Sequence, residues 1–251
     1  FSSPRVDHVI IPEPLNVDRV CIGHRGVWWA EIETLGRIAH GSMPFLGDCA
    51  IRHMGALIAR IERDLIPKLQ KKTTNMPVVP KPANASTLNF NSLHGGQEET
   101  QGDSLPAPCV PDSARLVIDR RFLIEEELSE VKRELHEILQ ELQHARPEFR
   151  YKIRDLLEVS PVRIDEDDPV AKATANGILA VLGKPAEFVC SPGTYDQKHI
   201  DRIGRLKSCI AYGPGILELA HQPDEYVEID DMLAAAKVMA FAAYELLTGK
   251  T

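Results

Sequence analysis

The sequence predicts a mixed α/β protein in which an antiparallel sheet with two helices, over residues 26–159, is inserted into an α/β layer formed by residues 1–25 and 160–251. Segments with alternating apolar residues and segments with apolar residues at helical spacing follow one another in the order β-α-β-β-α-β up to Val159. After Val159, helices alternate with short strands instead. A chain of 251 residues, of which 26% are charged, has the size and composition of one large or two modest globular domains.

The first predicted element is a short strand at the apolar run Val9–Ile11, within "FSSPRVDHVIIPEP". This opening stretch has no initiating Met, no basic region and no cleavage pattern, so we do not interpret it as a signal peptide. Because the strand begins almost at the first residue, we expect the chain to be a piece of a longer protein.

The inserted unit begins with a strand and a helix. "GVWWAEIETLG", residues 26–36, alternates as a strand does, with Val27, Trp29 and Ile32 expected on one side. Apolar residues then recur at helical spacing from Ala50 to Leu65, and Pro67 should end this helix. The basic, proline-rich stretch over residues 67–86 predicts a long surface loop.

The second half of the inserted unit repeats the pattern. "STLNFNSLHGG", stopped by two glycines, and "SARLVIDRRFL" predict two strands over residues 86–96 and 113–123. Apolar residues from Leu128 to Leu142 then predict a helix, and "FRYKIRDLLEV" predicts a last strand. This order is the split β-α-β arrangement of ferredoxin-like folds, an antiparallel sheet with two helices on one face.

The remaining residues predict the α/β layer. A helix is expected over Pro169–Leu182, and short strands at "AEFVCS" and "SCIAYG" lie on either side of a Gly-Thr turn. A C-terminal helix should run from about Asp231 to Leu247, with Asp230 or Asp231 as its N-cap and Gly249 as its stop.

Charge, hydropathy and cysteine usage exclude several classes of protein. A net charge of -8 and no basic stripe argue against a nucleic-acid partner. No apolar run approaches the roughly 20 residues of a membrane span, so a membrane partner is not expected. The five cysteines are odd in number and widely spaced, without a CxxC pair, which favours reduced thiols in a cytoplasmic protein.

One histidine stands out near the C-terminal helix, in "YGPGILELAHQPDEYVEIDD", where His221 separates an apolar run from an acidic one. A lone histidine after a strand is usually a polar surface group. A metal site needs about three or four ligands from His, Asp, Glu or Cys. The interpretation of His221 therefore depends on other motifs in the chain.

Four stretches, in order along nearly the whole chain, supply such motifs: "IPEPLN", "GRIAHGSMP", "VPDSARLVIDRRF", and "GTYDQKHI" followed by "AHQPDEYVEIDD". The ordered set resembles the metal-dependent amidohydrolases and exopeptidases that include acetylornithine deacetylase, succinyl-diaminopimelate desuccinylase, aminoacylase and carboxypeptidase G. The resemblance implies a zinc-peptidase-like catalytic α/β domain with two zinc ions, cobalt or manganese being alternatives. It also implies an inserted ferredoxin-like lid and dimerisation domain, a homodimer, and a small N-acyl amino acid or peptide substrate.

The resemblance assigns roles in the catalytic part of the family. Glu13 resembles a carboxylate ligand of one metal and His221 the imidazole ligand of the other. The turn with Gly193, Thr194 and Lys198 resembles a site for the free carboxylate of the substrate. Lys198 stands where desuccinylase-like members have arginine. A lysine offers a point charge to a carboxylate, whereas an arginine offers two parallel N–H donors. Without the resemblance, Glu13 would be interpreted as a surface glutamate before a turn.

The resemblance also assigns roles in the lid. His40 resembles the histidine that reaches into the partner's active site and helps to bind the oxyanion of the tetrahedral intermediate; the alternative is that "HGSMP" is an ordinary turn. One of Arg120 and Arg121 should bind the substrate carboxylate, and Arg121 is preferred, since adjacent residues of a strand point to opposite faces. The strand over residues 26–36 or the helix from Ala50 to Leu65 should lie at the dimer interface.

The chain also departs from the family pattern. The family's His-x-Asp motif, a later bridging Asp and a Glu-Glu general base all precede the position of Glu13, and none is in this chain. We reject as replacements "HID" at 199–201, "EE" at 98–99 and "EEE" at 125–127, because each falls in the wrong place. An asparagine expected near Pro108 is also missing. A non-catalytic lid and dimerisation fragment, or a metal-free binding homologue, is therefore the alternative to a hydrolase.

Overall fold

The computed structural model describes residues 6–96 and 108–249. They form two compact units: the described residues within 1–26, 75–84 and 160–251 make up the first, and those within 27–74 and 85–159 the second. The mixed α/β class expected from the sequence is confirmed. No helix in the described part of the chain is long and apolar enough to cross a membrane.

Nine strands are present among the described residues. They are β1 (Val9–Ile11), β2 (Arg19–His24), β3 (Gly26–Leu35), β4 (Thr87–Gly95), β5 (Ser113–Phe122), β6 (Arg150–Val159), β7 (Val162–Arg163), β8 (Glu187–Ser191) and β9 (Cys209–Ala211). The α-helices are α1 (Ala50–Arg60), α2 (Ile66–Leu69), α3 (Leu128–Ala145), α4 (Pro169–Leu182), α5 (Gln197–Arg202) and α6 (Ile229–Thr248). The predicted helix over Pro169–Leu182 is confirmed to the residue, with Asp168 accepting a hydrogen bond from the Val170 amide at 3.0 Å.

The second unit is the ferredoxin-like unit, here called the lid, and its four-stranded sheet has the order β4-β5-β3-β6. Its core consists of apolar residues from the strands and from α1 and α3, such as Trp28, Ile32, Leu57, Ile118 and Leu139. Because β3 lies inside this sheet, it has no free edge to pair with a second copy, which leaves the helix from Ala50 to Leu65 as the other element predicted at the dimer interface. The edges of the described sheet are β4 and β6.

The buried side of β3 also differs from the prediction. Trp28, Ala30 and Ile32 are buried, whereas Trp29 is only partly buried. The pairing with β6 shifts register between Trp29 and Ala30. The extra residue of this irregularity, Leu156, is on β6, and the buried residues of β3 still alternate. Trp29 and Ile32 are three residues apart and therefore belong to opposite faces, so grouping them on one side was wrong.

The first lid helix does not end at Pro67. It continues from α1 through a π-helical turn, Ile61–Leu65, into α2, which ends at Leu69. Pro67 has no N–H and cannot donate the bond that an α-helix requires from that position. A π turn directly before it lets the helix continue without that bond.

The first unit is built on a five-stranded mixed sheet with the order β1-β9-β2-β7, in which β8 also pairs with β2. Strand β1 runs parallel to β9, and β2 runs parallel to β8 and antiparallel to β9. Helices α4 and α6 pack on each other and bury Ala235 and Val238 against Ile22 and Ile210. Helix α6 starts after Glu228, which provides no side-chain cap, so the prediction of Asp230 or Asp231 as N-cap is wrong. The predicted end of this helix at Gly249, which has φ 64°, is confirmed.

Part of the predicted surface loop is buried in the first unit. Met76 and Val78 are 4% and 5% exposed and join the core beneath α4 and α6. The Val79 amide donates to the Cys190 carbonyl at 3.1 Å, and the Cys190 amide donates to the Pro77 carbonyl at 2.8 Å. Residues 75–84, here called the strap, therefore extend the pairing of β8. Their apolar side chains were the sequence signal that the proline content obscured.

Candidate functional site

Glu13 lies two residues after β1, where the chain leaves the sheet. It is half-buried, and the backbone of Gly213, which follows β9, lies directly against it. A Cβ atom on Gly213 would lie 2.7 Å from the Glu13 carbonyl oxygen and 2.9 Å from its nitrogen, so only glycine permits this approach. The ends of two neighbouring parallel strands therefore fix the backbone of Glu13.

The carboxylate of Glu13 has two charged neighbours. Burial and the nearby Asp196 carboxylate raise the pKa of Glu13, and the Lys198 ammonium opposes that rise. Lys198 Nζ lies 3.6 Å from an Asp196 oxygen and donates to the Tyr195 carbonyl at 3.2 Å. Two carboxylates and one ammonium group thus lie together beside the sheet of the first unit.

The turn that carries Gly193, Thr194 and Lys198 is anchored at both ends. The Gly193 amide donates to Ser191 Oγ at 3.0 Å, and buried Gln197 donates to the Cys209 carbonyl at 2.7 Å. Burial raises the pKa of the Tyr195 phenol well above its usual value. The turn is therefore held against β8 and β9, with Lys198 at the start of α5.

His221 lies in an exposed turn after a 3₁₀ segment, Leu217–Leu219, and has a left-handed backbone with φ 64°. Its amide donates to Glu225 Oε2 at 3.0 Å. Among residues 6–96 and 108–249, no group of three or more His, Cys, Asp or Glu side chains could hold a metal ion. The described side chains therefore do not make a complete metal site, and the roles of Glu13 and His221 as metal ligands stay predictions.

Two of the three motifs that we rejected as catalytic replacements lie among the described residues, and their side chains make contacts within the fold. His199 and Asp201 lie in α5, and Asp201 pairs with Lys207 at 2.9 Å. Glu125 accepts a hydrogen bond from Thr74 at 2.8 Å. The pair Glu98-Glu99 lies outside the described residues.

In the lid, His40 is exposed in the loop between β3 and α1, here called the His40 loop, residues 36–49. Arg37 and Asp48 close the neck of this loop through two backbone hydrogen bonds of 2.8 and 2.9 Å. The Gly41 amide donates to the Pro108 carbonyl at 2.6 Å, so the chain around Pro108 supports the loop from the side.

The imidazole of His40 is held by a residue within its own turn. His40 Nδ1 accepts a hydrogen bond from the backbone N–H of Ser42 at 3.2 Å and lies 2.8 Å from Ser42 Oγ. The Met43 amide donates to the His40 carbonyl at 2.8 Å and closes the turn. "HGSMP" therefore does form the predicted turn, and this same turn holds the His40 imidazole in place.

A buried pair beneath the loop was not predicted from the sequence. His53 Nε2 lies 2.8 and 3.0 Å from the two carboxylate oxygens of Asp48, and the His53 ring packs edge-on against Phe149 at 5.5 Å. The pair ties the neck of the His40 loop to α1. An acidic residue just before a helix, with a histidine one turn inside it, was the available signal.

The two adjacent arginines of β5 have different environments. Arg120 is 1% exposed and donates to Glu126 at 2.7 Å within the lid core. Arg121 points to the opposite, open face and makes a bidentate pair with Asp119, at 2.7 and 2.9 Å. Of the two arginines, Arg121 has the more exposed side chain, and Asp119 orients it.

Known proteins resemble this chain over almost all of its length. Residues 22–147 match the family described as peptidase dimerisation domain. The acetylornithine deacetylase of Myxococcus xanthus is 26% identical over 246 residues, which cover 98% of this chain and 59% of that protein. A [LysW]-lysine/[LysW]-ornithine hydrolase of Sulfurisphaera tokodaii is 26% identical over 250 residues, which cover 99% of this chain and 61% of that protein.

Solved structures share the fold. The M20 family metallo-carboxypeptidase Sso-CP2 from Sulfolobus solfataricus superposes with a TM-score of 0.71 at 18% identity, over 95% of this chain and 63% of that chain. Human carnosine dipeptidase 1 gives a TM-score of 0.72 at 15% identity, over 96% and 59% of the two chains. The chain therefore spans about three-fifths of the length of the relatives that it matches.

Proposed function

Because the chain belongs to the M20 family of amidohydrolases and exopeptidases, whose peptidase dimerisation domain it carries over residues 22–147, we propose that it serves as a metal-dependent hydrolase of amide bonds in N-acyl amino acids or short peptides. The match to that domain over half of the chain carries the proposal. The resemblance drawn from the four sequence motifs is thereby confirmed. The deacetylase and the hydrolase among the relatives support amide hydrolysis as the reaction.

In the lid, we assign His40 as a donor to the oxyanion that forms when the amide carbonyl is attacked, acting in the site of the partner subunit. Its position in an exposed, supported loop supports this role, since an oxyanion donor must be accessible and fixed before reaction. A single donor of this kind is worth about 3 kcal/mol of transition-state stabilisation. His40 is thus proposed as a catalytic residue rather than a metal ligand.

Binding of the substrate carboxylate is proposed for one basic side chain in each unit. Arg121 in the lid keeps one guanidinium nitrogen, Nη1, outside its pair with Asp119. In the first unit, Lys198 offers a point charge, and Gly193 and Thr194 belong to the anchored turn that carries it. These groups would select substrates that end in a free carboxylate.

The metal requirement is proposed from the family, with zinc as the ion and cobalt or manganese as alternatives. Glu13 and His221 are the proposed ligands, because Glu13 is a half-buried carboxylate at a strand end and His221 an exposed imidazole. Two ligands are fewer than the three or four that zinc requires. Since the described residues supply no third, Glu13 and His221 are assigned to metal binding and to no catalytic step.

Dimer formation is proposed through the lid edge formed by β4 and α1. An apolar groove of about 180 Å³ lies there, lined by Ile51, Met54, Ile58 and Leu93 among others. Ile51 and Leu93 are 45% and 55% exposed, and an edge strand has unpaired backbone groups that favour pairing with another copy. A cytoplasmic location is proposed from the five free cysteines, three of them buried.

The proposal is tested by assays of the protein with zinc, cobalt or manganese against N-acetyl and N-succinyl amino acids and dipeptides. Release of the amine, dependent on added metal, is the expected result. A folded dimer that binds metal weakly and releases no amine would instead support the alternative of a non-catalytic lid and dimerisation fragment. Binding of these compounds without metal or turnover would support a metal-free binding homologue.

A further inference from the structure

The hydrogen bonds at His40 fix the position of its ring proton. A backbone N–H can only donate, so the bond from the Ser42 amide requires a lone pair on His40 Nδ1. The Ser42 hydroxyl, 2.8 Å from the same nitrogen, must then donate as well. A neutral imidazole carries one proton, which therefore resides on Nε2. We propose that Ser42 is a positioning residue that holds His40 as its Nε2–H tautomer.

The loop gives Ser42 this role through its backbone. The bond from the Met43 amide to the His40 carbonyl places Gly41 and Ser42 at the centre of a tight turn, which folds the Ser42 hydroxyl back over the ring. Pro44 starts the following 3₁₀ turn and limits the chain after Ser42. The neck is held by Asp48, whose carboxylate is fixed by the buried His53. The two donors of Ser42 therefore face Nδ1 before any ligand arrives.

The tautomer decides what His40 can do. With the proton on Nε2, the outward nitrogen is a hydrogen-bond donor, as an oxyanion requires. With the proton on Nδ1, the outward nitrogen would present a lone pair, which repels an oxyanion. This consequence rests on the proposed function of His40, whereas the tautomer itself does not. Ser42 touches the imidazole and needs no contact with substrate.

The experiment compares Ser42→Ala, Ser42→Thr and the control Ser129→Ala, which removes an exposed hydroxyl at the start of α3. Nitrogen-15 NMR of labelled histidine, at a pH where imidazoles are neutral, reports whether Nδ1 or Nε2 carries the proton. In the unaltered chain, the His40 signals should be those of the Nε2–H tautomer. Loss of one hydrogen bond in Ser42→Ala should shift the tautomer ratio about fivefold towards Nδ1–H.

Ser42→Thr keeps the hydroxyl and should keep the tautomer, and Ser129→Ala should leave the His40 signals unchanged. An Nδ1–H signal in the unaltered chain, or an unchanged ratio in Ser42→Ala, would overturn the inference. Activity separates it from the proposed function: in Ser42→Ala, kcat should fall in proportion to the measured Nε2–H fraction, by at most about fivefold, with KM nearly unchanged. A measured fall of the Nε2–H fraction with no matching fall of kcat would leave Ser42 in its positioning role and refute the oxyanion role of His40.

Discussion

Arg120 Nη2 donates to Glu126 Oε1 at 2.7 Å, and the Arg120 side chain is only 1% exposed. The same carboxylate accepts hydrogen bonds from the Leu123 amide at 2.9 Å, from Lys72 Nζ at 2.9 Å and from the Ser86 hydroxyl. Glu126 therefore joins β5 to the chain segments on both sides of the strap. It is the centre of a polar network in the lid.

The first prediction is that Glu126→Ala destabilises the lid by about 3 kcal/mol, because it removes the closest carboxylate from the buried Arg120 guanidinium and leaves only Glu134, at 3.5 Å. The control is Glu130→Ala, which breaks an exposed pair with Arg133 and should cost less than about 1 kcal/mol. Urea denaturation followed by circular dichroism measures both. Equal effects in the two variants would show that the network contributes no more than a surface pair.

The second prediction is that the lid loses stability at acid pH because Glu126 becomes protonated. Burial alone would raise the pKa of Glu126, but Arg120, the Ser86 hydroxyl, the Leu123 amide and Lys72 outweigh it, so the pKa lies below its usual value. A lowered pKa means that the stabilisation is present above the unfolded value, near 4.5, and is lost as pH falls through the folded value. Stability of the lid should therefore decline below about pH 4.5. Glu126→Gln, which does not titrate, should decline less over the same range; an identical slope would exclude Glu126 as the cause.

The elements found from sequence are those with long periodic patterns. The helix over Pro169–Leu182 and the strands of the lid were predictable, because their apolar spacing extends over nine or more residues. Strand β2, with Cys21 and Gly23 in a six-residue run, was missed because it has no clear alternation. The burial of Met76 and Val78 was also missed, since it depends on pairing with Cys190, more than a hundred residues away.

In the candidate site, too, some residues were predicted from the sequence and others were not. His40 and Glu13 were predicted as site residues from motifs, because residue type and order carry the resemblance, and their roles stay predictions. The partners that orient the side chains were not: Asp119 beside Arg121, and Asp48 beside His53, follow from strand geometry and packing. Sequence therefore indicated which groups could carry the chemistry, and the structure showed what holds several of them.

The third prediction distinguishes the two arginines. Arg121→Ala should lower kcat/KM for substrates with a free carboxylate by about 10- to 100-fold, the effect of losing a hydrogen bond to a charged group, and should leave the thermal midpoint nearly unchanged. Arg120→Ala should instead unfold the lid at lower urea, since it leaves Glu126 buried without its closest cation. An amide in place of the substrate carboxylate is the control and should remove the difference between Arg121→Ala and the unaltered protein. If Arg121→Ala lowers activity equally on both substrates, the assignment fails.

The fourth prediction is that the β4 edge of the lid forms the dimer. A charge at Leu93, in Leu93→Glu, or at Ile51, in Ile51→Asp, should raise the dimer dissociation constant by about 100-fold or more, since it would be buried without a partner at an apolar interface. Leu157→Glu on β6 is the matched control, because Leu157 is 38% exposed on the opposite edge. Sedimentation over a range of concentrations measures all three variants. Dissociation by Leu157→Glu alone would place the interface at β6.

The fifth prediction is that Glu13 binds metal whereas His40 acts in catalysis without binding metal. His40→Ala should lower kcat by about 100-fold or more, as loss of an oxyanion donor does, and should leave bound metal unchanged. Glu13→Ala and His221→Ala should lose metal as well as activity, because each would remove a ligand. Metal content by elemental analysis and kcat on one N-acyl substrate measure these effects. Loss of metal from His40→Ala would contradict its assignment as an oxyanion donor.

Mixing the variants then tests whether His40 acts across the dimer. In a hybrid of one His40→Ala subunit and one Glu13→Ala subunit, one site combines the intact Glu13 of the first subunit with the intact His40 of the second. Random exchange makes about half of the dimers hybrid, and each hybrid has one of two sites complete, so activity should recover to about a quarter of the unaltered value. If His40 served its own subunit, both sites of the hybrid would lack one group and no recovery would follow. Subunit exchange is checked by mass spectrometry of differently tagged chains, so that absent recovery in proven hybrids rejects the cross-subunit role.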